Sequence, residues 1–142
     1  MKITLFVLSL CLGLAACQKE VVPVVALNQM LPATVNAEKP TATGTFVSGV
    51  HTTTGTVKLV IDDKDATKKY LVFENFKTDA GPDLRLYLAE DLKANGAIEV
   101  SATVNSGNFS VLIPTTANLD KQKSVLIWCK QFSVLFGSAS LK

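Results

Sequence analysis

The feature that most limits the possible folds of this chain is a series of short apolar runs from Gly44 to the C-terminus. The runs are rich in Val, Thr, Leu and Phe and are separated by Gly, Asn, Asp and Pro, a pattern typical of strands joined by turns. About eight such runs predict an all-β domain, either a sandwich or a small barrel of mostly antiparallel strands. The candidate strands are 44–50, 55–61, 69–73, 83–89, 97–104, 108–113, 124–130 and 133–136.

Alternation of side chains predicts which face of one strand meets the core. Leu84, Leu86 and Leu88 fall on one face, and Arg85 and Tyr87 fall on the other. Successive side chains of a strand point to opposite faces of its sheet. We therefore expect the three leucines to face the core.

Two further patterns predict how strands are arranged. Residues 125–128 are apolar on both faces, which indicates a central strand covered on both sides, with Trp128 packed in the core. Asn105–Asn108 has the composition of a tight turn and predicts a hairpin between 97–104 and 108–113.

The N-terminus predicts export and lipid attachment. Residues 1–16 have a positively charged start and an apolar stretch, Ile3–Leu14, that is too short to span a bilayer and fits a signal peptide. Leu14-Ala15-Ala16-Cys17 then resembles the lipobox of bacterial lipoproteins, which predicts cleavage before Cys17 and lipidation of its thiol. Gln18 follows rather than Asp, which favours the outer membrane under the sorting rule of some Gram-negative bacteria.

The remaining chain divides into a tether and a domain. Residues 17–43 contain three prolines and no sustained period, so we interpret them as a lipidated tether that holds the domain off the membrane. Residues 44–142 form the predicted β domain. The expected location is the cell envelope, with the membrane as a partner through the lipid anchor.

Cysteine usage and net charge limit the classes of function that this chain can have. Cys11 would leave with the signal peptide and Cys17 would carry lipid, so Cys129 would be the only free thiol of the mature chain. His51 is the only histidine, so one mature subunit lacks the four Cys or His ligands of a structural zinc site, and no metal site is predicted. A formal net charge of +2 without a basic patch argues against nucleic-acid binding.

Several blocks of the C-terminal region together resemble the DM-thirteen domain. This small β domain occurs beside DOMON domains in animal Skeletor proteins and alone in many bacterial envelope proteins. The resemblance covers about Gly44 to Leu141. It is carried by Gly44-Thr45-Phe46, His51 before Gly55, Phe76, Gly81-Pro82-Asp83-Leu84-Arg85-Leu86-Tyr87-Leu88, Ile113-Pro114 and the run from Ser124 through Trp128-Cys129-Lys130 to Leu141.

The resemblance implies electron transfer or thiol redox chemistry through a cysteine, which here is Cys129. It also implies an envelope redox protein as partner. We assign no cofactor to the chain itself and expect a haem or another redox cofactor, where one takes part, on that partner.

The residues themselves leave the roles of the candidate site open. Cys129 is either a reactive thiol near a strand end or a small buried hydrophobe. His51 is a candidate partner that would activate the thiol if the two are close, and otherwise a loop residue. Asp83, beside the Gly-Pro turn, is a candidate for structural bonding to the backbone or for binding.

Two hypotheses of function follow. In the first, the domain transfers electrons or exchanges thiols through Cys129. In the alternative, it is a non-catalytic binding or adhesion module of the envelope, and Cys129 is structural. No catalytic residue is assigned, because the sequence contains no nucleophile motif, phosphate-binding loop or nicotinamide fingerprint.

Overall fold

The computed structural model describes residues 31–142. The predicted signal peptide, Cys17 and the first part of the predicted tether lie outside the described residues. Nine strands form between Leu31 and Lys142. They are β1 (Ala42–Thr45), β2 (Val47–Ser48), β3 (Thr53–Ile61), β4 (Lys69–Thr78), β5 (Leu84–Ala89), β6 (Ile98–Ser101), β7 (Gly107–Leu112), β8 (Ser124–Cys129) and β9 (Val134–Ser140).

The strands form two sheets packed as a sandwich. One sheet has the order β1-β3-β4-β7 and the other the order β2-β9-β8-β5-β6. All recorded strand pairs are antiparallel. The prediction of an all-β fold is therefore confirmed, and of the two predicted architectures the chain adopts the sandwich. No helix among residues 31–142 is long and apolar enough to cross a membrane.

The core lies between the two sheets and is rich in aromatic rings. Leu86 and Leu88 are buried in it and Leu84 packs against it, as the alternation predicts. Phe46, Phe73, Phe76 and Phe109 form one connected group of ring contacts, with the Phe73 and Phe109 rings stacked at a centroid distance of 4.4 Å. Burial of these side chains provides the main free energy that holds the sheets together.

The predicted hairpin at Asn105–Asn108 is wrong. β6 pairs with β5, whereas β7 pairs with β4 in the other sheet. The segment 102–106 thus carries the chain from one sheet to the other. A tight reversal has the same residue types whether it joins two strands of one sheet or connects the two sheets. Its composition therefore does not reveal which strand the chain joins next.

Two other expectations also need correction. The first candidate strand, 44–50, is divided between β1 and β2, which belong to different sheets and flank the buried Phe46. Trp128 is only partly buried and lies outside the core cluster, because its neighbours Ile127 and Cys129 point inward and alternation turns it to the outer face. As predicted, β8 is an interior strand of its sheet.

The sandwich has two ends, which we name by their loops. The hairpin end carries the loop 62–68 between β3 and β4. The cysteine end carries the loop 79–83 between β4 and β5 and the turn 130–133 between β8 and β9. These ends are opposite, because β4 runs its full ten residues from one to the other.

Candidate functional site

Cys129, the predicted redox residue, is the last residue of β8 and is fully buried, with 0% of its surface exposed. Alternation places it on the inner face with Val125 and Ile127, in the main core cluster. No hydrogen bond or ion pair links its sulfur to any residue in 31–142. The sulfur therefore lies in apolar surroundings, without a contact that would stabilise a thiolate.

The residues next to this thiol at the end of the strand are less buried than the thiol itself. Cys129 pairs across the sheet with Leu84 on one side and Val134 on the other, and both neighbours are only partly buried. The turn 130–133 begins at the next residue and is exposed throughout. Cys129 thus belongs to the core but lies at its edge, one residue from solvent-exposed chain.

A hydrogen bond closes this end of the strand. The backbone N–H of Lys130 donates to the carbonyl oxygen of Asp83 at 2.9 Å. Within the turn, Ser133 has a φ of 53°, a left-handed conformation that is uncommon for a residue with a side chain. The Lys130–Asp83 bond joins the end of β8 to the loop 79–83 beside the thiol.

His51 lies at the same end but does not pair with the thiol. Its ring stacks on Phe136 at a centroid distance of 3.9 Å, and its Nδ1 is 3.5 Å from Oδ2 of Asp79. Among the described residues it makes no hydrogen bond to Cys129. The fold therefore brings the two candidate residues to one end of the sandwich without placing them in contact.

Asp79 and Phe136 hold this arrangement, and sequence reasoning assigned neither a role. Oδ2 of Asp79 accepts from the backbone N–H of Thr52 at 3.0 Å, and the Asp79 N–H donates to the Thr52 carbonyl. Phe136 is buried in the same core cluster as Cys129 while its ring supports His51. No local signal identifies these contacts, because each joins segments far apart in sequence.

Gly81 lets the loop 79–83 pack closely onto this end, because a Cβ there would force neighbouring side chains to shift. A Cβ at Gly81 would lie 2.7 Å from Cδ2 of Leu84 and 2.9 Å from Cζ of Phe136. These separations are too short for non-bonded carbon atoms, which pack at about 3.5–4.0 Å. The absence of a side chain therefore lets the loop approach Leu84, the cross-strand neighbour of Cys129, and Phe136.

Asp83 is engaged in an ionic network on the outer face. Its Oδ1 accepts from Nε of Arg85 at 2.5 Å, and Nη1 of Arg85 lies 3.3 Å from Oε1 of Glu99. The hydrogen bond to Asp83 is the main reason that the pKa of Arg85 is raised further above its ordinary value. The Asp83 carboxylate thus bonds to the Arg85 side chain, and its role in structure or in binding stays a prediction.

A shallow groove of about 480 Å³ opens beside the site. Its walls are the loop 79–83 with Thr78 and Leu84, and the segment 102–106 that crosses between the sheets. Leu84 lines this groove and is also the cross-strand neighbour of Cys129. The groove thus reaches a residue that covers the thiol. No cluster of three His, Cys, Asp or Glu side chains suited to a metal occurs in the described part of the chain.

Comparison with known proteins gives one match. Residues 45–141 match the family described as Electron transfer DM13. No curated protein and no solved structure matches the chain. The matched region contains all but the first strand of the sandwich, together with Cys129, His51 and Asp83. The chain therefore belongs to the DM13 electron-transfer family.

Proposed function

We propose that this chain is a lipid-anchored envelope protein whose DM13 domain transfers electrons, with Cys129 as its redox group. The observation that carries the proposal is the position of Cys129 within the matched family region. It is the one free cysteine of residues 31–142, and it lies at the core edge, beside an exposed turn and a groove.

The reaction we propose for the thiol is exchange with a disulfide of an envelope partner. The Cys129 thiolate attacks one sulfur of that disulfide, a mixed disulfide forms, and the other partner sulfur leaves as a thiolate. A low-molecular-weight thiol then attacks the Cys129 sulfur and releases the partner as a dithiol, and a second molecule of that thiol restores the Cys129 thiolate as the two small thiols leave joined in a disulfide. The proton of Cys129 passes to solvent.

Burial sets a condition on this reaction. An attacking sulfur must approach the partner's disulfide directly, and Cys129 has no exposed surface. The thiol therefore reacts only after local opening, which breaks the Lys130–Asp83 backbone bond and displaces Leu84 or Val134. Such openings at strand ends require less free energy than global unfolding.

Thiol labelling of the mature domain tests the proposal. The rate of alkylation of Cys129 is measured against denaturant concentration, with Gln131→Cys in a Cys129→Ala background as the exposed control. If the thiol reacts through local opening, Cys129 is labelled more slowly than the exposed control but much faster than global unfolding would allow. The labelling rate then depends little on denaturant concentration. A redox titration with a visible spectrum then checks for a cofactor.

A second candidate function is favoured by one observation. Cys129 is fully buried and its sulfur has no polar contact among residues 31–142, as expected for a structural cysteine in a binding module. Labelling of Cys129 only at the rate of global unfolding would support this candidate and contradict a redox role. Unchanged redox behaviour of Cys129→Ala would do the same.

Lipid anchoring at Cys17 has its own test. The full-length chain, expressed in a bacterium fed a labelled fatty acid, is expected to incorporate label and fractionate with the outer membrane. Cys17→Ser is expected to abolish incorporation, while Cys129→Ala leaves it intact. Equal labelling of the wild type and Cys17→Ser would contradict the anchor.

A further inference from the structure

The chain enters the domain along the outer face of one sheet. Val35 is only 8% exposed, and it packs with Val60, Tyr70 and Val72 in a small apolar cluster separate from the main core. Leu31 and Ala37 pack against the same cluster. We call residues 31–37 the docked segment. Although it precedes β1, this segment is packed onto the sandwich.

Polar contacts fix the docked segment to the hairpin end. Oγ1 of Thr34 donates to Oδ2 of Asp62 at 2.8 Å, and the N–H of Asp63 donates to the Thr34 carbonyl at 3.1 Å. Further along, the N–H of Thr41 donates to the carbonyl of Leu59 at 2.8 Å. Apolar packing and three hydrogen bonds therefore determine where the chain joins the domain.

The candidate site lies at the other end. Cys129, His51 and the groove are at the cysteine end, and the ten residues of β4 separate that end from the loop 62–68. At about 3.3 Å per residue, β4 is ~33 Å long. The chain therefore enters roughly one domain length from the thiol.

The docked segment also shortens the connection to the proposed anchor. About fourteen residues separate Cys17 from Leu31, so the connection reaches at most ~50 Å. If the connection instead ran to Ala42, about twenty-five residues would reach ~90 Å. With the segment docked, bringing the cysteine end to the bilayer would use about two thirds of the ~50 Å reach, whereas the hairpin end lies where the connection begins.

We propose that the docked segment orients the domain on its membrane, with the hairpin end toward the bilayer and the cysteine end toward the aqueous phase. This inference rests on the proposed lipid anchor at Cys17. It also specifies the class of partner for the site. Cys129 faces a redox protein that approaches through the aqueous compartment, rather than a redox carrier dissolved in the lipid.

Energy transfer to the membrane measures this orientation. In a Cys129→Ala background, a donor dye is attached to Lys64→Cys in the hairpin-end loop or to Gln131→Cys in the cysteine-end turn. Both positions are exposed. The lipidated full-length protein is bound to liposomes whose headgroups carry an acceptor dye. We expect clearly higher transfer from position 64, corresponding to a mean distance to the membrane shorter by up to ~33 Å.

A second pair of variants tests the role of the docked segment. Val35→Asp places a carboxylate in the outer apolar cluster, whereas Ala33→Asp places the same group on an exposed position of the same segment. Undocking by Val35→Asp is expected to reduce the difference in transfer between positions 64 and 131. Ala33→Asp is expected to preserve it.

The outcomes separate this inference from the proposed anchor. Protein that fails to float with the liposomes contradicts lipidation at Cys17, and with it the orientation. Protein that floats but transfers energy equally from positions 64 and 131, or more strongly from 131, overturns the orientation and leaves the anchor intact. Protease cleavage of the docked segment in Val35→Asp shows that the segment has undocked. If the difference in transfer between positions 64 and 131 then remains, the segment does not orient the domain.

Discussion

Replacing Cys129 by serine is the usual way to remove a thiol, and here it is expected to be unusually destabilising. The cysteine side chain is fully buried, and its sulfur makes no hydrogen bond within residues 31–142. Serine would place a hydroxyl in the same apolar surroundings. A buried hydroxyl without a partner loses its hydrogen bonds to water and gains none in return.

The magnitude follows from two contributions. An unsatisfied buried hydroxyl lowers the free energy of unfolding by about 1–3 kcal/mol. Loss of the apolar contacts of the larger sulfur contributes ~1 kcal/mol more. We therefore expect Cys129→Ser to lower the free energy of unfolding by about 2–4 kcal/mol. Cys129→Ala leaves a small cavity but no unsatisfied group, so ~1–2 kcal/mol is expected.

Urea denaturation of the wild type and both variants, followed by the fluorescence of the single tryptophan, measures these differences. The expected order of stability is wild type, alanine, serine. A serine variant as stable as the alanine variant would refute the reasoning, because the hydroxyl would then have found a partner or water. The expected order also makes Cys129→Ala the better control in redox assays, since loss of function in the serine variant would be confounded with unfolding.

Three further predictions concern stability. Hydrogen bonds, first from the Lys64 N–H and then from Thr34, hold the pKa of Asp62 below its ordinary value of 3.8. As the pH falls through 3.8, Asp62 therefore takes up a proton more readily in the unfolded state than in the folded state. The free energy of unfolding decreases as a result. In thermal melts, Asp62→Asn should be less stable than the wild type above about pH 4, and the difference in melting temperature should become smaller below about pH 4. A difference that stays constant down to about pH 2 would contradict this prediction. Phe73→Ala, which removes a fully buried ring stacked on Phe109, should lower the free energy of unfolding by about 3–5 kcal/mol in urea, and a loss under ~1 kcal/mol would be inconsistent with its packing. Gly55→Ala should cost more than ~1 kcal/mol because Gly55 has a φ of 110° at a bulge, and unchanged denaturation would count against a strained position.

Sequence patterns predicted the architecture because that information is local. The alternation of Leu84, Leu86 and Leu88 assigned the inner face of β5 correctly, since the period of two is a property of every extended chain. The turn at Asn105–Asn108 was also recognised as a reversal. Which sheet the chain joins after that reversal depends on pairing with β4, far away in sequence, and composition alone does not reveal it.

The candidate site was only partly predictable for the same reason. Sequence reasoning selected Cys129, His51 and Asp83, and all three lie at or beside one end of the sandwich. It did not find that His51 pairs with Asp79 and stacks on Phe136, or that Arg85 links Asp83 to Glu99. These contacts join different strands and loops, so they arise only when the sheets assemble.

The sequence by itself determined the all-β class, the inner face of β5 and the identity of the candidate thiol, because periodicity and residue chemistry act locally along the chain. Tertiary structure decided that Cys129 is buried at the edge of the core, that His51 is occupied elsewhere and that the docked segment joins the opposite end. Those outcomes depend on which faces and ends the two sheets bring together. They place the candidate thiol in the core, beside an exposed turn at the end of its strand.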